Sequence, residues 1–246
     1  MAKGPRKHMK RLAAPGHWQI KRKVHPFTIR ANPGPHSLQE GIPLGVIVRD
    51  MLQLTTTLGE TRRILSQGHV KVDGRIRKDY KYPVGLMDVI EIAATKTKVR
   101  VVPDSQHLLR LFEIPKKELN LKPCKITGKK TVAKGNIQLH LHDGRTILLQ
   151  VKDPKAKPKE PYRPGDTLLL KLPDQTIQEH IPLKKGITAV ITGGDHTGNV
   201  GKLIKIDPEN RLGTIQTTKD QTILTAIRYV FPLGKDQSLV SIPEAG

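Results

Sequence analysis

Residues 57–79 read TLGETRRILSQGHVKVDGRIRKD, and the fold turns on this stretch. Thr57 and Glu60 have capping-box spacing, in which each side chain satisfies a free amide at a helix start. Leu58, Thr61, Ile64 and Leu65 then recur at helical spacing, and Gly68 stands where a left-handed stop residue belongs. Val70, Val72 and Ile76 flank Asp73-Gly74, a hairpin signal. Side chains alternate along a strand, so loop length decides what faces what. A three-residue loop puts Val70 with Ile76 and Lys71 with Arg77; a two-residue loop puts Val70 with Arg77. The three-residue loop is expected, because it gathers the apolar residues into one plug. It leaves Arg62 and Arg63 on the helix and Lys71, Arg75, Arg77 and Lys78 on the hairpin. That array suits the phosphates of a pre-shaped RNA, although a small α/β unit can also carry such charges merely as a solvated surface.

Working outward, Leu44, Ile47, Val48, Met51 and Leu52 predict a first helix over 44–54. Residues 86–92, LMDVIEI, predict a closing strand entered from the Pro83-Val84-Gly85 turn. With Arg62, Gly68, Val70, Val72, Asp73 and Gly74 in their places, this segment resembles the S4-type RNA-binding fold. The resemblance implies a mode of binding and not a role, since the same fold occurs in RNA-modifying enzymes.

The whole chain has 246 residues, 43 Lys or Arg against 22 acids, and a formal net charge of +21. Apolar residues make up 36%, which favours several small cores over one large one. Charge of one sign at this level opposes compaction unless a polyanion neutralises it, and nucleic acid is the first candidate. Aromatics are only 3%, too few for a protein that binds single strands by stacking throughout. Phosphate and shape contacts to folded RNA fit better. Cys124 is the single cysteine, so neither an intrachain disulfide nor Cys-x-x-Cys zinc spacing is possible; it reads as a small core or surface residue. No signal-peptide run and no apolar run of membrane-spanning length appears, so a cytoplasmic protein with no membrane partner is expected.

Residues 1–39 hold nine cations and no acid: Lys3, Arg6, Lys7, Lys10, Arg11, Lys21, Arg22, Lys23 and Arg30. Five prolines interrupt the run and exclude a long helix. The expectation is an extended basic arm over 1–42 that orders on RNA phosphates. Within it, HMKRLAAPGHWQIKR (8–22) and NPGPH (32–36) closely resemble the S4e family of small-subunit ribosomal proteins from archaea and eukaryotes. That resemblance implies an arm lying in ribosomal RNA with Trp18 as its anchor; an indole can stack on a base or seat in a pocket. The chain length favours the archaeal branch.

An S4-type domain is expected over 43–105, with eleven cations against seven acids, and a β domain over 106–180, with fifteen against eight. The β domain's clearest hairpin joins 137–142 to 145–151 through Asp143-Gly144, here with a two-residue loop that puts Leu139 and Leu141 on the face of Thr146 and Leu148. His140 and His142 alternate beside Asp143, but no further ligand is spaced nearby, so no metal is expected and both read as surface histidines. Residues 153–164 form a Pro/Lys-rich loop ahead of a strand over 167–172.

The final segment, 181–246, carries only eight cations against six acids. Two alternating strands flank a glycine-rich loop containing Gly193, Gly194, His196, Gly198, Gly201 and Lys202. Gly198, Val200 and Gly201 resemble the KOW motif, which implies an SH3-like β-barrel whose loop meets RNA or protein. A phosphate-binding loop is excluded, because Gly201-Lys202 runs into Leu203 in a strand pattern rather than opening a helix. Lys219-Asp220 is expected as a turn, and 234–246 as a loose or packed tail.

Together the sequence predicts a multi-domain α+β protein: basic arm, S4-type module, central β domain and KOW/SH3-like barrel. The function expected is a structural component of the small ribosomal subunit that binds its RNA and touches neighbouring ribosomal proteins. No catalytic residue, cofactor or small-molecule substrate is expected. An S4-domain RNA-modifying enzyme is disfavoured, because Arg11-Leu12 and Arg211-Leu212 are not followed by an aspartate. A KOW-type transcription or translation factor would leave the basic arm without a purpose.

Overall fold

The computed structural model describes residues 8–150, 162–217, 221–235 and 238–243. Lys3, Arg6, Lys7, the greater part of the 153–164 loop and the 219–220 turn lie outside them.

Three five-stranded antiparallel sheets follow one another along the chain. In the first, the spatial order is Arg75–Ile76, Val70–Val72, Val89–Ile92, Thr97–Asp104 and Leu108–Glu113. The helix Leu58–Ser66 packs on it, with Leu65 and Thr61 buried. The Thr57–Glu60 capping box is formed, and Gly68 takes φ +81° at the stop. The sheet does not end at Ser105: Leu108–Glu113, assigned from sequence to the next domain, pairs along Thr97–Asp104.

The first predicted helix is shorter and wider than expected. Leu44–Val46 is α-helical, and Ile47–Met51 is a π-turn in which Leu52 N–H donates to Ile47 O at 2.9 Å. Gly45 sits tightly here; a Cβ would lie 2.8 Å from Ile29 Cδ1 and 3.0 Å from Tyr80 O.

Both hairpin loops differ from expectation, in opposite directions. Lys71 pairs with Ile76 and Val72 with Arg75, so the first loop is the two-residue Asp73-Gly74. Both loop residues are left-handed, at φ +53° and +74°, as a type I′ turn requires. Ile76 therefore leaves the core and is 54% exposed. In the second hairpin His140 pairs with Thr146 and Leu139 with Ile147, which leaves a three-residue loop, His142-Asp143-Gly144. Ile137, Leu139 and Leu141 thus pack with Ile147 and Leu149, and Leu148 points outward. The tertiary partners of Asp73 and Asp143, described below, account for both choices.

The central sheet has the order Thr146–Leu149, Ile137–Leu141, Leu121–Thr131, Thr167–Lys171 and Thr176–Ile181. Its long middle strand, Leu121–Thr131, has no clear alternation in the sequence. The third sheet runs Thr222–Ala226, Leu212–Thr217, Val200–Asp207, Thr188–Ile191 and Val230–Gly234.

From His8 onward the arm is folded rather than extended. Met9–Lys10 pairs with Phe27–Thr28 in a short ribbon, and Met9, Ala14, Trp18 and Ile29 enter the same core as Leu44, Leu65 and Val70. Each later sheet has its own core. A fourth apolar cluster joins all three: Met87 from the first, Leu169 from the second, and Val190, Phe231, Leu233 and Val240 from the third and the chain beyond it. The tail is packed where it is described, and Ser241 N–H donates to Glu118 at 2.9 Å.

Candidate RNA-binding surface

The helix Leu58–Ser66 and the hairpin that follows it build one basic face. Arg62, Arg63, Arg75 and Lys78 are exposed, and Lys71 and Arg77 are half-buried. Lys71 lies 3.7 Å from Glu91. Among the described residues, Arg63, Arg75 and Lys78 form no ion pair. Two tyrosines that sequence reasoning passed over organise this face. The Arg62 guanidinium stacks 4.4 Å over the Tyr80 ring and donates to its hydroxyl at 2.8 Å. Arg77 stacks 4.3 Å over Tyr82, and the Lys81 ammonium lies 5.6 Å from the Tyr80 centroid. Stacking fixes a guanidinium plane while leaving its edge free to donate. The signal was present in the sequence as Tyr80-Lys81-Tyr82 close behind the arginines, but nothing in the spacing showed which rings would meet which cations.

The arm's predicted RNA residues divide. Lys10, Lys21 and Lys23 are exposed, and Arg30 is half-buried. Arg11 is buried, 5% exposed, and donates to Lys21 O at 2.7 Å, so it braces the arm itself. Arg22 likewise holds Ala14 O at 2.8 Å and Pro15 O at 2.7 Å. Trp18 is not free to stack on a base: it is 2% exposed, and its indole N–H donates to Gly41 O at 2.9 Å. Of the two roles an indole can take here, it takes the pocket.

Behind this face lies a buried charge cluster that the sequence did not announce. Lys122 Nζ sits 2.7 Å from Asp73 and 2.9 Å from Asp143, and it also bonds Asp88. Arg145 reaches Asp73 at 2.6 Å and Asp143 at 3.1 Å. His36 Nε2 lies 3.0 Å from Asp88. The aspartates of both Asp-Gly turns thus meet one lysine across the seam between the first two sheets. Burial alone would raise the Asp88 carboxyl, but Lys122 and His36 hold it well below the ordinary range. Asp143 is also held low, by Lys122 and then His142, against burial. Burial and the Asp88 charge instead raise Asp73. The three carboxylates keep Lys122 charged despite complete burial. Arg100, fully buried, makes a second tie: it bonds Glu118 at 2.7 Å and Leu121 O at 2.8 Å. Lys122 and Arg100 count toward the net charge yet face no solvent. In the central sheet, Lys129, Lys130 and Lys134 remain exposed.

His142 is not a surface histidine. Its Nδ1 accepts from the Lys125 amide at 3.2 Å, so Nε2 carries the proton and donates to Leu86 O at 3.2 Å. Burial lowers its pKa to about 4. Cys124, His142 and Asp143 place ligand atoms within 4.8 Å of one another, but the donor set does not suit a metal. Both imidazole nitrogens are engaged, Asp143 is held by two cations, and burial keeps the Cys124 thiol protonated.

In the third sheet the glycine-rich loop turns inward. Gly193 and Gly198 are buried, whereas Gly194 and His196 are exposed; Gly201 and Lys202, expected in the loop, instead lie in the strand Val200–Asp207, with Gly201 buried and Lys202 exposed. A Cβ on Gly198 would lie 3.3 Å from Asp104 Cα and Pro103 O, so this loop abuts the first sheet. A Cβ on Gly201 would collide with the Gln216 carbonyl on the next strand.

Comparison with known proteins gives three family matches. The model described as Ribosomal family S4e matches residues 95–177, the RS4NT (NUC023) domain 3–39, and the S4 domain 56–90. The chain is 44% identical over 245 residues to the small ribosomal subunit protein eS4 of Staphylothermus marinus, covering 98% of this chain and 97% of the relative. It is 40% identical over 243 residues to the protein of the same name from Methanocaldococcus jannaschii, covering 98% and 99%. The crystal structure of the 30S ribosomal protein S4e from Thermoplasma acidophilum aligns with a TM-score of 0.67 at 33% identity, over 80% of this chain and 96% of that one.

Proposed function

The chain belongs to the S4e family of ribosomal proteins, and we propose that it is a structural component of the small ribosomal subunit in the cytoplasm. It binds ribosomal RNA and supports translation by holding that RNA in shape. The observation that carries this reading is the unpaired basic face of Arg63, Arg75 and Lys78, flanked by the tyrosine-backed Arg62 and Arg77. Exposed, uncompensated cations are what phosphate recognition requires. Lys10, Lys21, Lys23 and Arg30 extend the surface along the arm, and Lys3, Arg6 and Lys7 continue it in sequence. The protein acts by binding and not by catalysis.

We read the third sheet as a KOW/SH3-like barrel, supported by its five antiparallel strands and by the buried glycines of its loop. Since Gly198 abuts the first sheet, the loop's exposed tip at His196, with Lys202 exposed on the strand that follows it, is the part left for RNA or a neighbouring ribosomal protein.

Salt washing of native small subunits tests the assignment. The protein should remain near one copy per subunit through moderate salt, and the purified chain should bind transcribed small-subunit RNA with a steep salt dependence. A chain that washes off at low salt, or binds that RNA without salt dependence, would remove the structural role.

A further inference from the structure

We propose that the outer face of the N-terminal ribbon is a stacking site for one unpaired base of ribosomal RNA, with Phe27 as the platform. This rests on the RNA-binding function above and names a ligand that the basic face does not imply.

Register carries the first part of the argument. Lys10 pairs with Phe27 and Met9 with Thr28. Directly opposed residues share a face, and residues two apart on a strand share it too. Met9 is buried in the core, so the opposite face bears His8, Lys10 and Phe27. The His8 and Phe27 rings confirm this, with centroids 5.8 Å apart and a tilt of 52°.

Exposure carries the second part. The chain has three phenylalanines. Phe231 is 1% exposed, Phe112 is partly buried, and Phe27 is 53% exposed. An apolar ring is thus held out on a segment whose first 39 residues contain no acid. Lys21 and Lys23 lie on the loop between the ribbon strands, which Arg11 ties down through Lys21 O.

A nucleotide offers a flat π-face and, one bond system away, an anionic phosphate. The ribbon offers a flat ring and, on the same face directly across the pair, an ammonium. That match selects nucleic acid over an uncharged apolar partner. Trp18, the aromatic that the family signature draws attention to, is spent inside the protein. Phe27 is the ring left over for a base.

The full-length chain provides the test, because Trp18 is its only tryptophan and is buried. Phe27→Trp adds an exposed indole. Titration with transcribed small-subunit RNA should quench it well beyond the change seen in the unsubstituted chain. Phe27→Ala and Phe27→Leu should each weaken binding at least about five-fold with the salt slope unchanged. Lys10→Gln should instead lower that slope by about one. If the unsubstituted chain binds and Phe27→Trp is not quenched, or Phe27→Leu binds as tightly as the parent, the stacking site is wrong while the RNA-binding function stands. Quenching by anionic phospholipid vesicles but not by RNA also overturns it. An unsubstituted chain that fails to bind RNA would sink the function itself.

Discussion

Lys122 Nζ lies 2.7 Å from Asp73 Oδ2, although the two residues belong to different sheets and stand 49 positions apart. This bond, with Asp88 and Asp143 around the same ammonium, fixes how the first sheet meets the second. It also explains the tight Asp73-Gly74 turn, whose left-handed backbone aims the carboxylate into the seam.

Removing the lysine should be costly. Lys122→Met leaves Asp73 and Asp143 sharing the Arg145 guanidinium and Asp88 with only His36, and loss of one member of such a buried cluster costs about 3–5 kcal/mol. Lys129→Met, on the exposed part of the same strand, should fall within about 0.5 kcal/mol of the parent. Chemical denaturation of both variants compares them.

Acid should destabilise the protein in two stages. His142 titrates at about 4 in the folded chain, against about 6.5 unfolded. Its folded value is depressed, so the unfolded chain binds the proton first and stability falls as pH drops from about 6.5 to about 4. Burial lowers His17 as well, with the same sign. The His142 share is on the order of 3 kcal/mol. Below the ordinary carboxylate range Asp88 and Asp143 add to the loss, because their folded values lie under their unfolded ones. Asp73 is raised and opposes them. Unfolding midpoints at pH 7, 5.5 and 4 should decline, and the nuclear magnetic resonance titration of His142 should centre near 4. A His142 titration near 6.5 would refute its partly buried position, with both ring nitrogens engaged, at the seam of the sheets.

The hairpin register can be checked by burial. Ile76 is 54% exposed, whereas Val70 and Val72 are buried. Ile76→Thr should cost under about 0.5 kcal/mol, and Val70→Ala about 2 kcal/mol. Comparable losses at both positions would restore the three-residue loop and its buried Ile76.

Charge reversal on the helix should separate binding from folding. Arg62→Glu with Arg63→Glu touches exposed side chains and should leave the unfolding midpoint nearly unchanged. RNA affinity should fall by an order of magnitude or more, and the log–log salt slope should drop by about two. Unchanged affinity with retained fold would count against this face.

Much of the local structure was legible in the sequence. Thr57, Glu60 and Gly68 act through neighbours a few positions away, so spacing alone predicts the capped helix and its left-handed stop. The 8–22 signature pointed to the family that the comparisons identify. Loop lengths were not legible. The alternation of Val70 with Ile76, and of Leu141 with Thr146, carries no sign that Asp73 and Asp143 share Lys122 as a partner.

The class of protein is readable from composition and spacing: a chain at +21 with an acid-free leader and one capped helix before an Asp-Gly hairpin is built to meet a polyanion. Which cations are offered to it depends on how the sheets pack. Lys122, Arg100 and Arg11 are turned inward by carboxylates and carbonyls, some of them far away along the chain. Arg63, Arg75 and Lys78 stay outward. Formal charge is additive along a chain, but whether a charge is compensated depends on what folding brings within about 3–4 Å of it, and that is a property of the packed sheets.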